Sequence, residues 1–390
     1  MAKLSATGCS PAVGSTKYAV WPLPETETAP QHWCKPVANS EYSLHQLSPY
    51  IGKTKSSIAR DLIETYSLPE QLIVDPFCGA GTIALEASLA RRNVFASDIS
   101  PYAELLTLAK LRPPADLDCA LRQFESLQAE SAEHRPPDLR SVPAWVRQFF
   151  DQSTLKEAIY LAAICQRSDA HFILACLLGI LHHQRPGFLS YPSSHLVPYL
   201  RTKAFPRDRF PEMYQYRPLY PRMIAKLKRA YRRIWPPHSM TVQVRRASLE
   251  SVVLPDTFDT VITSPPYMNA LDYGRDNRLR LWFLDPAAAE LVDHHTPSTL
   301  QDFAKLMEVL AEKLSPRLRP GGHCVLIIGD IIARSSSIHP ARMAIQAFAS
   351  HAPKLHLIRI VDDVIPDIRR ARRDCMSVKN ECIAVFRKVS

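Results

Sequence analysis

Apolar residues recur with two alternating periods along this chain. Residues 55–67, KSSIARDLIETYS, place Ile58, Leu62 and Ile63 on one face, which predicts an amphipathic helix. Residues 71–100, QLIVDPFCGAGTIALEASLARRNVFASDIS, then read as strand, glycine-bearing turn, helix and strand. Such an order predicts parallel strands joined by helices.

A second series of strands and helices follows much later. Its last two strands are joined by about 15 residues without a helical pattern, which predicts antiparallel neighbours. Strands that alternate with helices indicate a doubly wound α/β sheet with an antiparallel last strand. The series comprises strands at 242–247 and 258–267, a helix at 300–318, a turn at 319–322, a strand at 323–330, a helix at 340–350, and strands at 355–365 and 381–388.

The remaining segments follow other patterns. Residues 1–40 are rich in Pro, Ser, Thr and Ala, which predicts a flexible N-terminal arm, pinned by Trp21 and Trp33. Helical runs at 144–166, 170–183 and 218–235 replace strands in the middle of the chain. We therefore predict an N-terminal arm (1–40), a catalytic domain in two parts (41–112 and 241–390), and a largely helical insertion (113–240).

Positive charge is concentrated in that insertion. The whole chain carries a net charge of +10. Between Arg185 and Arg246 there are 14 Lys and Arg residues against two acidic residues. Ten aromatic residues lie between Phe188 and Trp235. Positive charge interleaved with stacking rings is typical of a nucleic-acid groove, although a solvated helix face with core aromatics gives the same pattern.

Cysteine usage and the N-terminus bear on the compartment. Nine Cys residues are scattered singly, as expected of free thiols in a reducing cytoplasm, and no spacing predicts a metal site. The N-terminus lacks the apolar core of a signal peptide. The longest apolar run, 172–181, is too short to span a bilayer. We therefore expect a cytoplasmic protein without metal.

The stretch VDPFCGAGT, residues 74–82, follows one predicted strand and begins a helix. Gly79 and Gly81 allow a tight turn and a close approach of the backbone to a ligand. Asp75 lies at the carboxyl end of its strand, and Asp98 ends the next strand, where a carboxylate can bind both hydroxyls of a ribose. The turn is neither a P-loop nor a dinucleotide fingerprint, so it predicts a nucleoside-bearing cofactor.

A second turn, SPPY at residues 264–267, ends the strand FDTVIT. Two prolines fix its backbone without needing donors. The Ser264 hydroxyl and the Pro265 carbonyl can then accept hydrogen bonds from one –NH₂ group, while Tyr267 offers a flat face on which a base stacks. Two such acceptors would return the lone pair of a conjugated amine to its nitrogen. The turn therefore predicts a site where a base amine attacks a methyl sulfonium, with the ring face of Tyr267 mattering more than its hydroxyl.

Together these turns resemble those of the S-adenosylmethionine-dependent amino DNA methyltransferases, of the S-P-P-Y subgroup. That family carries a D-P-F-x-G-x-G-T turn for the cofactor and an S/D/N-P-P-Y turn for catalysis. Residues 44–67 look like its segment that closes over the methionine end of the cofactor, and SDISPYA with Lys110 matches the stretch after the ribose acid. The resemblance covers about 43–112 and 245–390, and it implies a Rossmann-like methyltransferase sheet.

The resemblance also implies a cofactor and site residues. The cofactor is S-adenosylmethionine. The implied catalytic residues are Ser264, Pro265, Pro266 and Tyr267. The implied cofactor-binding residues are Tyr50, Gly52, Lys53, Asp75, Pro76, Phe77, Gly79, Gly81, Thr82, Asp98 and Ile99.

Within the family, Ser at the first position of the catalytic turn is typical of N4-cytosine enzymes, whereas Asp or Asn is commoner in N6-adenine enzymes. Ser264 therefore implies methylation of cytosine N4 in a specific duplex DNA sequence by base flipping, with a cognate restriction endonuclease as a possible partner. The usual acidic residue before the catalytic strand is replaced here by RRASLE (245–250). C5 methylation would need a Pro-Cys nucleophile, and the chain contains no Pro-Cys pair.

Three alternatives stay open. They are N6-adenine methylation, methylation of a base amine in RNA, and a nucleic-acid-binding protein that keeps the fold without activity. The intact turns argue against the last of these. We name as candidate DNA contacts Arg229, Arg232, Arg233, Asp272, Tyr273, Arg275, Arg369 and Arg370.

Overall fold

The predicted strands assemble into one mixed sheet. The computed structural model describes residues 25–34, 41–132, 137–182, 187–190, 206–233, 240–267, 272–329, 340–365 and 380–390. The eight strands are β1 Thr26–Thr28, β2 Leu72–Asp75, β3 Asn93–Asp98, β4 Val242–Arg246, β5 Phe258–Thr263, β6 Leu318–Gly329, β7 Leu355–Val364 and β8 Asn380–Lys388. Their order is β1-β7-β8-β6-β5-β2-β3-β4, and β8 runs antiparallel to both of its neighbours, whereas the other described pairs are parallel. The sequence prediction of a Rossmann-like doubly wound sheet with an antiparallel last strand is confirmed.

Thirteen α-helices occur among the described residues. They are α1 Gln31–Cys34, α2 Ser56–Tyr66, α3 Thr82–Leu89, α4 Pro101–Leu111, α5 Leu117–Ala132, α6 Ala144–Arg147, α7 Gln152–Arg167, α8 His171–Ile180, α9 Leu219–Ala230, α10 Tyr273–Leu284, α11 Ala288–His294, α12 Leu300–Leu314 and α13 Pro340–His351. In α2 the residues on the predicted apolar face are buried, as amphipathic spacing requires. None of the helices in the described part of the chain is long and apolar enough to cross a membrane.

The strand order brings the two predicted turns together. β2 lies between β3 and β5, with Asp75 beside Ala96 and Val74 beside Val261. All three strands are parallel, so their carboxyl ends share one edge of the sheet. β3 and β4 lie on one side of β2, and β5 and β6 lie on the other side. The strand order therefore reverses at β2, and open α/β sheets bind ligands at such switch points.

Two local predictions needed correction. The predicted turn at 319–322 is part of β6, where the pairing with β5 jumps from Leu318 beside Phe258 to His323 beside Thr260. Gly321 has a φ of +81°, so the extra residues are accommodated as a bulge rather than a reversal. The predicted helix at 144–166 is two helices, because the Asp151 side chain accepts hydrogen bonds from two backbone N–H groups and begins α7.

Five helices were not predicted, namely α1, α4, α5, α10 and α11. The described part of the predicted arm, residues 25–34, contains β1, which extends the sheet beside β7, and α1, whose Trp33 is buried. Trp21 lies outside the described residues.

The helices between residues 117 and 230 share a core with α4 and with residues 42–47. α8 lies at the centre of this core, since nearly all side chains of α8 are buried. A Cβ at Gly179 would lie 2.3 Å from the Leu47 carbonyl oxygen, so α8 meets the 42–47 segment at backbone distance. Lys226 of α9 donates to the Gln46 carbonyl at 3.1 Å. The helical layer therefore holds the segment that borders the cofactor turn.

Candidate active site

An open cleft lies at the carboxyl edge of β2, β3, β4 and β5. It holds about 960 Å³ of empty space, part of which is open to solvent. Ser264 and Pro266 of the second turn line this cleft, as does Tyr273. Residues of the first turn line the same cleft, so both predicted turns face one space. Ten of the predicted cofactor-binding residues line it, namely Tyr50, Gly52, Lys53, Asp75, Pro76, Phe77, Gly79, Thr82, Asp98 and Ile99.

The first turn is pinned by Asp98. One carboxylate oxygen accepts from Gly79 N at 2.9 Å, and the other accepts from Ser100 N at 2.9 Å. Burial raises the pKa of Asp98, and these backbone donors oppose the rise. Asp98 therefore shapes the glycine turn as well as facing the cleft.

The two glycines of the turn have different tasks. Gly79 has a φ of +47°, and a Cβ there would lie 3.4 Å from the Tyr50 ring, inside the cleft. Gly81 has a φ of +68°, and its Cβ would lie 2.6 Å from Thr107 Oγ1 on α4. Gly81 does not line the cleft. Its missing Cβ allows the close packing of α3 on α4, and its direct contact with the cofactor stays a prediction.

Asp75 carries an unmet hydrogen-bonding capacity. Its Oδ1 accepts from Thr263 Oγ1 at 2.6 Å, but its buried Oδ2 has no partner among the described residues. Burial raises the pKa of Asp75 to about 7, although the Thr263 hydrogen bond lowers it. Thr82 Oγ1 is a second buried atom in the cleft wall without such a partner. A buried polar atom without a hydrogen-bond partner in the protein is a candidate contact for a polar group of a bound ligand.

Behind the turn lies a polar network around two buried side chains, His45 and Glu86, that the sequence did not predict. His45 Nε2 lies 2.7 Å from Glu86 Oε1 on α3, and Arg60 donates to the other Glu86 oxygen at 3.0 Å. Lys53 donates to the His45 carbonyl at 2.9 Å. The sequence offered no signal for this network, because its members are far apart in the chain. It ties the segment before α2 to the helix that follows the glycine turn.

Lys110 belongs to the same region. It is buried, and its Nζ donates to the Ala80 carbonyl inside the turn. Burial lowers the pKa of Lys110 to about 7. Lys110, which matches the family's stretch after the ribose acid, therefore stabilises the glycine turn through the Ala80 carbonyl.

The second turn is tied to a carboxylate from the last strand. Ser264 Oγ lies 3.1 Å from the Ile327 carbonyl oxygen and 3.1 Å from the Tyr267 hydroxyl oxygen. The Tyr267 hydroxyl donates to Glu381 Oε1 at 2.8 Å. Because β8 is antiparallel, its first residues lie at the edge where the parallel strands end. Sequence reasoning missed Glu381 because no local motif marks it.

Two members of the catalytic turn are absent from the cleft wall, Pro265 and Tyr267. Tyr267 is 6 % exposed and packs against Ile51 and Tyr273. Burial raises the pKa of its hydroxyl, and Glu381 raises it further. The ring that the sequence offered as an open stacking face is therefore covered in this structure, and its hydroxyl is engaged.

The candidate DNA contacts lie in several places. Arg229, at the end of α9, and Arg232 and Arg233, just beyond it, are exposed. Asp272 caps α10 by accepting from Arg275 N at 2.9 Å, and Tyr273 lines the cleft. The remaining pair, Arg369 and Arg370, lies outside the described residues.

The segment RRASLE, which departs from the family pattern, also reaches the site. Its residues 247–250 line the cleft at the end of β4, where Leu249 is buried. With Phe77 and Leu306 it supplies an apolar wall. An apolar wall of this kind suits the flat face of a purine.

Parts of the chain are similar to known methyltransferases. Residues 20–108 match a family described as DNA methylase. A Type II methyltransferase, M.BsoBI of Geobacillus stearothermophilus, is 23 % identical over 318 residues, which span 73 % of this chain and 62 % of that protein. The match thus spans less than two thirds of the relative's length.

Similar solved structures include TrmN from Thermus thermophilus, with 12 % identity and a TM-score of 0.35, covering 87 % of this chain and 50 % of that one. The rRNA methyltransferase aviRa from Streptomyces viridochromogenes has 12 % identity and a TM-score of 0.36, covering 92 % of this chain and 95 % of that one.

Proposed function

We propose that the chain is an amino DNA methyltransferase whose methyl donor is S-adenosylmethionine, and that it methylates the exocyclic N4 amine of cytosine in duplex DNA; the matches to a DNA methylase family and to a Type II methyltransferase support this. The observation that carries the proposal is the shared cleft, in which Ser264 faces the same space as Asp75 and Asp98. The relative named as a Type II methyltransferase supports a cognate restriction endonuclease as a partner in the same proposal.

The residues of the cleft fit the cofactor. Asp75 Oδ2 is a buried acceptor without a partner among the described residues, which suits the ammonium of the methionine part. Asp98 suits the ribose hydroxyls, and Leu249 with Phe77 suits the adenine. Gly79 leaves room beside Tyr50 that a Cβ would fill. When bound, the cofactor supplies an electrophilic methyl group on a sulfonium.

Ser264 is proposed to act as an acceptor toward the target amine. The Tyr267 hydroxyl proton is committed to Glu381, so the single Ser264 proton goes to the Ile327 carbonyl or the Tyr267 oxygen. In either case a Ser264 lone pair remains for the amine hydrogens. The Pro265 carbonyl is proposed as the second acceptor, which together with Ser264 localises the nitrogen lone pair. No covalent bond to the protein is needed.

The target base must leave the duplex to reach this turn, because its amine is paired and stacked inside the helix. We propose that the extruded base stacks on Tyr267, which requires the packing of Ile51 and Tyr273 on that ring to open. The helical residues 113–240 are proposed to bind the DNA, and the parts 41–112 and 241–390 to carry catalysis. Their helical character and positive charge support this division.

Cytosine N4 is proposed on the identity of Ser264, and the product decides it. Duplex DNA incubated with the protein and S-adenosylmethionine is digested to nucleosides, and the methylated nucleoside is identified by mass. We expect N4-methylcytosine. N6-methyladenine alone would move the target to adenine and leave the mechanism standing, whereas 5-methylcytosine would overturn the mechanism. Methylation of structured RNA but not DNA would favour the RNA alternative.

Cofactor binding should strengthen as the pH rises through about 7. Asp75 has a pKa of about 7, and only its ionised form attracts an ammonium, so affinity should fall about tenfold for each pH unit below that value. Calorimetric titrations with S-adenosylmethionine at pH 6 and pH 8 test this. Asp75→Asn should flatten the dependence, whereas Asp256→Asn, at an exposed site, should leave it unchanged.

The same shift fixes the sign of a stability effect. The pKa of Asp75 is raised above 3.8, so between pH 3.8 and about 7 the folded protein holds a proton that the unfolded chain has lost. The contribution of Asp75 to stability therefore declines as pH rises through that range. Without cofactor, Asp75→Asn should melt at a higher temperature than the natural protein at pH 8.

An equal affinity of the natural protein for S-adenosylmethionine at pH 6 and pH 8 would remove Asp75 from the cofactor site.

A further inference from the structure

A second cleft lies in the helical region. It holds about 1340 Å³ of empty space, part of which is open to solvent, and is bounded by residues 137–140, α6, the start of α7 and Arg207. Four of its lining side chains are cationic and one, Asp138, is a carboxylate. The cations are Arg140, Arg147, Lys156 and Arg207.

Most of this positive charge is not neutralised within the protein. Asp138 pairs with Arg140 at 3.0 Å. Arg147 and Lys156 form no ion pair with any residue that the structure describes. The Arg207 guanidinium lies 4.7 Å from the centre of the Tyr214 ring, which leaves its charge in place. Three cations thus face one opening, and none of them has an ion-pair partner in the part of the chain that the structure describes.

The wall of the cleft indicates which ligand group it suits. Phe150 is the one aromatic residue among the described lining residues, and it is 1 % exposed, so the described part of the wall offers no open ring face for a base. Guanidinium and ammonium groups donate hydrogen bonds and accept none. A group of such cations suits phosphate oxygens, which are hydrogen-bond acceptors that also carry negative charge.

α10 joins this cleft to the active site. Its first residue, Tyr273, lines the active-site cleft. Near its other end Phe283 contacts Phe150 with 6.3 Å between ring centres. In the middle of the helix the Arg278 guanidinium lies 4.6 Å from the centre of the Trp145 ring on α6. A helix of 12 residues is about 18 Å long.

We propose that this basic cleft binds the sugar-phosphate backbone of the DNA outside the active-site cleft. The inference rests on the proposed function, because it takes DNA as the substrate. The contact is independent of base sequence, so it contributes affinity and register rather than target choice. It also differs from the predicted contacts at Arg229, Arg232 and Arg233, which lie on and after α9.

The test uses Arg147→Gln/Lys156→Gln, which removes both charges and keeps the side-chain stems. The matched control is Lys354→Gln/Arg387→Gln, two exposed cations at the opposite, amino edge of the sheet. Binding to a fluorescent duplex is measured by anisotropy between 50 and 200 mM salt. Two duplexes are compared, one that the natural protein methylates and one with a scrambled sequence. Melting temperatures establish that each variant is folded.

We expect the cleft variant to bind both duplexes about tenfold or more weakly than the natural protein, and its log–log salt slope to be shallower by about two. The control should match the natural protein. Affinity for S-adenosylmethionine should be unchanged in both. If Arg147→Gln/Lys156→Gln unfolds the protein, the two single variants are measured instead. Each should make the log–log salt slope shallower by about one.

Each failure has a distinct signature. If the natural protein binds and methylates duplex DNA but the cleft variant keeps the same affinity and slope, the cleft is not a backbone contact and the proposed function stands. If the natural protein neither binds nor methylates duplex DNA, both proposals are overturned. Loss of RNA binding in the variant, without duplex DNA binding in the natural protein, would assign the cleft to RNA instead.

Discussion

Replacement of Ser264 by Ala should lower the single-turnover rate of methyl transfer by roughly 10²-fold or more, while S-adenosylmethionine and DNA bind with near-natural affinity. The hydroxyl lies at the end of β5, held by the Ile327 carbonyl and the Tyr267 hydroxyl. Its acceptor lone pair matters most when charge develops on the attacking amine, so its loss raises the barrier more than it weakens binding. Rapid-quench measurement of methylated DNA with enzyme in excess checks this.

The matched control is Thr260→Val on the same strand. Thr260 Oγ1 is buried and donates to the Tyr66 carbonyl at 2.9 Å, so its removal deletes a buried hydroxyl away from the reacting groups. Both variants should lose stability by about 1 kcal/mol, but Thr260→Val should transfer methyl at close to the natural rate. A Ser264→Ala rate within threefold of the natural rate would remove Ser264 from the proposed chemistry. An equal loss in Thr260→Val would show that both variants act through stability.

The two turns were predictable because their residues carry conformational information locally. Gly79 must adopt a positive φ, and consecutive prolines restrict the SPPY backbone, whichever way the rest of the chain folds. Alternating strand and helix patterns then predicted that both turns would lie at one sheet edge. The bulge in β6 was not predictable, since glycines in RPGG suit a turn and a bulge equally, and only the register with β5 distinguishes them.

Side-chain partners across the sheet were beyond the sequence pattern. Glu86 meets His45 and Arg60, and Glu381 meets Tyr267, over separations of 26 to 114 residues. Gly81 was assigned to the cofactor on its motif, whereas the three-dimensional packing places it against Thr107. Such contacts depend on strand order and helix packing, which a motif does not encode.

The hydroxyl of Tyr267 illustrates how far a contact can change an expectation. From sequence, the ring face of Tyr267 mattered more than its hydroxyl, so Phe would be well tolerated. In the structure that hydroxyl donates to Glu381 and lies beside Ser264. Without it, the Ser264 proton loses one of its two acceptors, and the orientation of its lone pairs is less restricted. We therefore expect Tyr267→Phe to lower the turnover rate by about tenfold, consistent with the loss of one buried hydrogen bond worth about 1.5 kcal/mol.

Glu381→Ala should lower the rate by a similar factor, and the double variant Tyr267→Phe/Glu381→Ala should be no slower than either single variant. Both changes break the same hydrogen bond, so their effects should not add. Glu381→Gln retains an acceptor oxygen at the same reach and should recover most of the rate, whereas Glu381→Asp, one methylene shorter, should not. Single-turnover rates and separate affinities for DNA and S-adenosylmethionine provide the test, because a merely structural role would change stability or affinity rather than the rate alone. Additive losses in the double variant would show that Glu381 and Tyr267 act independently, and that Glu381 does not position Ser264 through the tyrosine hydroxyl.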